Sequence, residues 1–376
     1  MREARPLRTI LVDLFRHTID EPIEDELFNR AALRVFHYQF VRNAAYAAFC
    51  ERRERRPNQI DHWSEIPAVP TAAFKEVPLV TGSPDHAEAI FRTSGTSAGP
   101  EKRGIHYVLD VSIYHFALIP NFAACVLPDG AELRLLSLIP SGAELPDSSL
   151  SHMVSVLVDR LGAPNSGFFA SASHGIADAH VAAALEHAEA DDVPVCLLGT
   201  SFAFVHWLDR AAARGERYAL PAGSRVMDTG GYKGRSREVD ADEMRQRYHE
   251  MLGVPPSHCI NEYGMTEMCS QFYDSSLRDT ARGRERARHK LVPPWVRTRV
   301  VDPETLDPVA PGEIGLLQHF DLANLNSVMA IQTEDAGFAV EDGLHLLGRA
   351  PGATPRGCSI AMDMLLEALG THRRRP

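Results

Sequence analysis

Short apolar runs recur between residues 133 and 264, and each stops at a small polar turn. Residues 133–139 end at Pro140-Ser141-Gly142, and 193–198 at Gly199-Thr200 before an amphipathic stretch to Arg214. Residues 225–228 end at Thr229-Gly230-Gly231, and 259–262 at Tyr263-Gly264. Apolar runs of this length, alternating with helical patterns, read as buried strands that feed helices through tight loops. The expectation is therefore an α/β fold with largely parallel sheets and helices on their faces. Ligands bind such sheets at the carboxyl ends of the strands, where these loops fall. Residues 295–347 carry Asp, Pro and Gly turns at close intervals and predict a small β-rich lobe. Upstream, Leu27, Ala31, Val35, Phe36 and Phe40 recur at helical spacing, so residues 22–55 read as helix with a charged end at Arg52 to Arg56. Pro67 and Pro70 then force an extended connector.

The chain has 376 residues, enough for two or three lobes. An apolar fraction of 44% and a charged fraction of 24% are those of an ordinary globular protein. No apolar run reaches the roughly 18 residues that would predict a membrane span. The charged start Met1-Arg2-Glu3-Ala4-Arg5 does not read as a signal peptide, so a cytoplasmic location is expected. A net charge of −11 argues against a nucleic-acid partner. The basic stretch 278–299, broken by Asp279 and Glu285, reads as a solvated face or loop. Cysteines at 50, 125, 196, 259, 269 and 358 form no C-x-x-C pair, so neither a zinc site nor a disulfide framework is indicated. Most lie in apolar stretches and read as small buried hydrophobes. Lysine is scarce: Lys75, Lys102, Lys233 and Lys290 are the only four.

Residues 93–104 carry four hydroxyls (Thr93, Ser94, Thr96, Ser97) and three glycines (Gly95, Gly99, Gly104), with Lys102 and Arg103 near the end. Such a segment makes a poor core and a good phosphate cradle, since glycine lets N–H groups approach an anion and hydroxyls add rotatable donors. Three further segments follow in order: Asp228-Thr229-Gly230-Gly231-Tyr232-Lys233-Gly234, Asn261-Glu262-Tyr263-Gly264-Met265-Thr266-Glu267, and Thr333-Glu334-Asp335-Ala336-Gly337 with Leu347-Gly348-Arg349. Singly, each has a plainer reading. Glu267 reads as the first-turn acid of a helix, Asp335 as a turn residue and Tyr232 as a packed aromatic.

The order of the four segments, over residues 85 to 349, resembles the adenylate-forming superfamily of acyl-CoA synthetases, peptide-synthetase adenylation domains and firefly luciferase. The resemblance implies that superfamily's N-terminal-domain fold. It implies a division into a helical segment and proline connector (1–80), an AMP-binding core (81–349) and a short tail (350–376). It also implies roles. Thr93, Ser94, Gly95, Thr96, Ser97 and Lys102 would hold the β- and γ-phosphates of ATP, and Gly230, Gly231 and Tyr232 would pack against adenine. Tyr263 and Gly264 belong to the same AMP-binding segment as Thr266, which would bond the α-phosphate, and Glu267, which would bind Mg²⁺. Asp335 and Arg349 would hold the ribose. The reaction implied is attack of a carboxylate on the α-phosphorus, giving an acyl-adenylate and pyrophosphate.

The chain departs from the wider superfamily in two ways. Larger members carry a C-terminal lid with a catalytic lysine; here 27 residues follow Arg349 and no lysine follows Lys290, so that lid is expected to be absent. The phosphate loop has Ala98 where glycine is usual and Lys102 one place late, which leaves Lys102, Lys233 and Arg103 as candidate phosphate cations. The ending 348–359, the segment 66–75 and the total length look like the LuxE-type acyl-protein synthetases. That resemblance implies activation of a fatty acid, transfer of the acyl group to a cysteine of the enzyme, and delivery to an acyl-accepting partner such as a reductase or carrier. Cys358 matches that cysteine, and neighbouring Arg356 would lower its thiol pKa. Two alternatives stay open: adenylation of an aromatic or other acid with transfer to CoA, a carrier protein or an amine, and a nucleotide-binding protein without catalysis. For the acid pocket the candidates are Phe168, Phe169, Phe202, Phe204 and Phe272, with His115 and His206.

Overall fold

The computed structural model describes residues 4–17, 19–94, 103–230, 239–350, 362–364 and 366. It divides into two compact units. One comprises Met1–Pro120, Met265–Ser270 and His289–Pro376, the other Asn121–Gly264 and Gln271–Arg288.

The second unit holds the expected parallel sheet. Its strands run in the order Cys259–Tyr263, Arg225–Thr229, Val195–Thr200, Arg134–Ser137 and Gly167–Phe168, each parallel to its neighbour. Phe272–Asp274 adds an antiparallel strand beside Cys259–Tyr263. Helices Ser149–Leu161, Asp178–Asp191, Ser201–Ala213 and Ala241–Leu252 alternate with the strands. Val195, Cys196, Leu197 and Leu198 are wholly buried, which explains a continuous apolar run rather than an alternating one. Leu185, Phe204, Trp207, Leu208, Val226, Tyr248 and Leu252 complete this core. Each large side chain buried there contributes roughly 1.5–3 kcal/mol. The loops are set by local chemistry: the Thr200 hydroxyl accepts from the Ala203 N–H at 3.0 Å and so starts the helix immediately after its strand.

The first unit holds the β-rich lobe. Val296–Val301, Gly315–Asp321, Ala330–Val340, Gly343–Arg349 and Lys290–Leu291 form an antiparallel sheet in that order. The proline connector becomes a short strand, Val69–Pro70, pairing in parallel with Ile331–Gln332. Residues 22–55 form two helices rather than one, Asp25–Arg42 and Ala44–Arg52. Asn43 divides them, its side chain accepting from the Tyr46 N–H at 3.1 Å, an N-cap within the apolar periodicity. Ala89–Arg92 and Ile105–Val108 form a hairpin that carries the hydroxyl/glycine loop.

Within the basic stretch 278–299, residues 282–287 form an exposed turn and loop, as expected, while the residues on either side are drawn into the fold. Arg278 and Lys290 are buried, and Arg286 and Arg288 pair with Asp279 and Asp274, each at 2.9 Å. Alternating charge here builds ion pairs within the fold. Cys50, Cys125, Cys196, Cys259 and Cys269 are buried and free of disulfides. Among the described residues no helix is long and apolar enough to cross a membrane.

Candidate active site

The hydroxyl/glycine loop leaves the hairpin through a closed base. The Thr93 N–H donates to the Gly104 carbonyl at 3.0 Å, and the Thr93 hydroxyl accepts from the Gly104 N–H at 2.8 Å. The Arg103 guanidinium turns back onto the carbonyls of Thr93 and Arg92. Gly104 is required by close approach: a Cβ there would sit 3.0 Å from Thr93 Cγ2 and 3.3 Å from Phe74 Cβ. Thr93 and Ser94 are thus held at the mouth of the loop.

Thr266 and Glu267 lie in a turn rather than at the start of a helix, the Met268 N–H donating to the Met265 carbonyl at 3.2 Å. Buried polar side chains of the same unit fix this turn. His106 Nδ1 donates to the Thr266 carbonyl at 2.7 Å, and Asn324 Nδ2 to the Glu267 carbonyl at 2.8 Å. Asp321 accepts from the Cys269 N–H at 3.0 Å and the Ser270 hydroxyl at 2.7 Å. Trp295 Nε1 donates to the same hydroxyl at 3.0 Å. Behind Asn324, Gln39 of the helix Asp25–Arg42 donates to the carbonyls of Asn324 and Leu325 and accepts from the Met329 N–H. Burial pushes the His106 imidazole down to about 4, so the ring is neutral at physiological pH and its Nδ1 proton is committed to Thr266.

Glu267 is buried, and its carboxyl is raised to about 7. Burial is the main cause, with Asp335 acting the same way; a hydrogen bond from its own backbone N–H and the charges of Arg349 and Lys75 oppose it. The backbone here is tied at several points, while burial leaves the carboxyl partly protonated near pH 7 and its charge only partly offset by Arg349 and Lys75. A hard carboxylate of this kind is what Mg²⁺ takes when most of its other ligands are phosphate and water oxygens. The donor chemistry therefore fits that ion.

Asp335 is a strand residue, not a turn residue, and stands directly opposite Arg349 in antiparallel register. The Thr333 hydroxyl accepts from the Asp335 N–H at 3.1 Å and donates to the Leu317 carbonyl at 2.8 Å. The exposed Arg349 guanidinium reaches Glu334 at 3.0 Å. A carboxylate and a guanidinium at adjacent positions suit a vicinal diol. Asp335, Arg349, Lys75 and Glu267 are thus electrostatically coupled within one unit.

In the second unit the motif residues cap parallel strands. Gly230 follows Arg225–Thr229 with φ +74°, a left-handed conformation that favours glycine. Gly264 follows Cys259–Tyr263, where a Cβ would meet Glu262 Oε1. The flanking polar groups satisfy one another: the Thr229 hydroxyl donates to Glu262, Asn261 Nδ2 to Asp228 at 2.7 Å, and the Tyr248 hydroxyl to Asp228 at 2.9 Å. Tyr263 is buried and tilted against Phe272 at 5.4 Å. Of the pocket candidates here, Phe168 and Phe202 present surface, and Phe202 stacks edge-on against His206 at 4.4 Å. Phe204 and Phe272 are wholly buried, Phe204 against Trp207 and Tyr248.

Of the residues singled out by sequence, Thr93, Ser94, Thr266, Glu267, Asp335 and Arg349 belong to the first unit, and Gly230, Tyr263 and Gly264 to the second. Gly95, Thr96, Ser97, Lys102, Gly231, Tyr232, Lys233 and Cys358 lie outside the described residues. Sequence reasoning missed His106, Asn324, Asp321 and Gln39. Each is a single polar residue in an apolar or loop context, with no spacing to mark it.

The family model described as acyl-protein synthetase, LuxE, matches residues 13–367. The long-chain-fatty-acid–luciferin-component ligase of Aliivibrio fischeri is 25% identical over 362 residues, covering 92% of this chain and 90% of that one. Its counterpart from Vibrio harveyi is 24% identical over 364 residues, covering 92% and 89%. Among solved structures, an open conformation of 2-hydroxyisobutyryl-CoA ligase in complex with 2-HIB-AMP and CoA superposes with a TM-score of 0.63 at 14% identity, covering 88% of this chain and 76% of that one. The same ligase in its postadenylation state gives 0.62, covering 85% and 67% at 14% identity. These likenesses share the adenylate-forming fold.

Proposed function

This chain belongs to the LuxE acyl-protein synthetase family, an acid-activating ligase family, and from that premise we propose that it converts a long-chain fatty acid to an enzyme-bound thioester on Cys358. The observation that supports this most is the coupled group of Glu267, Lys75, Arg349 and Asp335, with the Thr266–Glu267 backbone fixed by buried donors. The two ligases from Aliivibrio fischeri and Vibrio harveyi support the acyl-chain class by name.

In the first half-reaction a carboxylate oxygen of the acid bonds to the α-phosphorus of ATP as the bond to the bridging oxygen breaks. Pyrophosphate leaves and acyl-AMP remains. Every oxygen involved is anionic, so the protein must neutralise and align charge. Thr266 donates its hydroxyl to the α-phosphate, Thr93 and Ser94 begin the cradle for the outer phosphates, and Asp335 with Arg349 holds the ribose. Mg²⁺, held by Glu267, supplies charge neutralisation at the phosphates when bound. In the second half-reaction the Cys358 thiolate attacks the acyl carbonyl. The C–S bond forms, the C–O bond to AMP breaks, and the thiol proton has already passed to solvent. An acyl-accepting partner protein then takes the chain from the thioester.

The test is intact mass after incubation with ATP, Mg²⁺ and a panel of carboxylic acids. The proposal expects one hydroxylamine-labile acyl adduct with long-chain acids, absent in Cys358→Ser. An adduct only with aromatic acids would replace the substrate class. A hydroxylamine-labile thioester persisting in Cys358→Ser would remove Cys358.

A further inference from the structure

The scarcity of lysine makes the placement of each one informative. Lys75 ends the short helical turn Thr71–Lys75 and is half-buried. Its position is fixed from three sides within one unit. Before it, Val69–Pro70 is a strand paired with Ile331–Gln332, the same strand that carries Asp335. Phe74 is buried, with its ring edge-on to His106 at 5.8 Å, and His106 bonds the Thr266 carbonyl. The Phe74 Cβ also lies against Gly104 at the base of the hydroxyl/glycine loop. Residue 75 therefore follows a side chain wedged between the phosphate-loop base and the Thr266–Glu267 turn. Lys75 is among the charged groups that act electrostatically on Glu267. Among the described residues no hydrogen bond or ion pair is made by its ammonium.

We propose that the Lys75 ammonium contacts the β- and γ-phosphate oxygens of bound ATP and neutralises pyrophosphate as it leaves, an inference that rests on the acid-activation reading above. No proton moves in this step. The α-phosphorus exchanges its bond to the bridging oxygen for one to the acid carboxylate, and the negative charge that accumulates on pyrophosphate is met by a fixed cation. The sequence assigned phosphate neutralisation to Lys102, Lys233 or Arg103; of these, Arg103 commits its guanidinium to the Thr93 and Arg92 carbonyls. Lys75 is carried on a turn that directly follows a paired strand. A compact ammonium also suits three converging phosphate oxygens as a point charge.

The role separates ligands by their phosphates. In Lys75→Ala, affinity for ATP and for pyrophosphate measured by calorimetry should fall by about 10- to 100-fold while affinity for AMP stays within twofold. Acid-dependent pyrophosphate exchange should fall by about 100-fold, chiefly in kcat. Transfer from supplied acyl-AMP to the enzyme thiol should stay within threefold, and Lys75→Arg should recover most of the ATP affinity. Equal losses for AMP and ATP, or unchanged ATP and pyrophosphate affinity, would overturn the proposal and leave Lys75 as a structural counter-charge to Glu267. If the unmodified protein exchanged no pyrophosphate with any acid, the acid-activation reading would fail by itself. The ATP-against-AMP comparison would still decide where Lys75 acts.

Discussion

The two units present their motif residues in opposite ways. At the strand ends of the second unit, side-chain groups satisfy one another: Thr229 donates to Glu262, and both Asn261 and Tyr248 donate to Asp228. At the turn of the first unit the buried side chains bond the backbone, His106 and Asn324 as donors and Asp321 as an acceptor, and the Glu267 carboxyl is raised to about 7. A fixed backbone with an incompletely neutralised carboxyl is an arrangement that awaits a cation; a closed side-chain network is one that shapes a surface. The difference teaches where binding energy is stored. Groups satisfied in the free protein give shape, and those satisfied only by ligand give affinity and rate.

The sharpest way to break this contrast is Glu267→Gln. Adenylation should fall by about 10³-fold, because the carboxylate proposed to hold Mg²⁺ is gone while the turn is unchanged. Ligand-free stability should move the other way. The folded pKa, about 7, lies above the ordinary 4.5, so the contribution of this group is fully present below pH 4.5 and is lost as pH rises towards 7. The full loss is about 3 kcal/mol, and Glu267→Gln should remove that slope from a urea-denaturation series between pH 5 and 8. A wild-type stability independent of pH over that range would contradict the buried, partly protonated carboxyl.

Next in size are the positioning residues. Asn324→Ala removes donors to the Glu267 and Val328 carbonyls, and should lower stability by about 2–4 kcal/mol. It should raise the Mg²⁺ concentration needed for half-maximal exchange, an effect absent from a merely destabilised enzyme. His106→Gln should act in the same direction, less strongly, since an amide can still reach the Thr266 carbonyl. In the second unit, Thr229→Val removes one donor to the buried Glu262 and should cost about 1–3 kcal/mol of stability without changing the Mg²⁺ dependence. A shift in Mg²⁺ dependence for Thr229→Val as large as for Asn324→Ala would erase the distinction between the units. Smallest in amplitude is a linked proton. Binding of Mg·ATP at pH 7 should release about half a proton from Glu267, read from calorimetry in two buffers of different ionisation enthalpy.

What the sequence revealed follows the same division. The parallel sheet was legible because residues 195–198 are wholly buried and read as one apolar run that stops at Gly199-Thr200. Glu267, Asp335 and Arg349 were singled out through the order of motifs, but their local structures were not legible: Glu267 sits in a turn held by long-range bonds, and Asp335 in a strand whose partner is Arg349. The helix over 22–55 was misread as continuous because an internal Asn43 cap carries no signal within an apolar period. His106 and Asn324 were invisible because their bonds join residues 160 and 57 positions away. Lys75 was counted but not placed, since only the Val69–Pro70 pairing and the Phe74 contact bring it to the site.

The most direct measurement is fatty-acid-dependent exchange of labelled pyrophosphate into ATP, compared between the unmodified protein and Glu267→Gln at saturating Mg²⁺. The account predicts robust exchange in the first and a loss of about 10³-fold in the second. Equal exchange in both would contradict it, by showing that the buried carboxyl takes no part in holding the metal and phosphates.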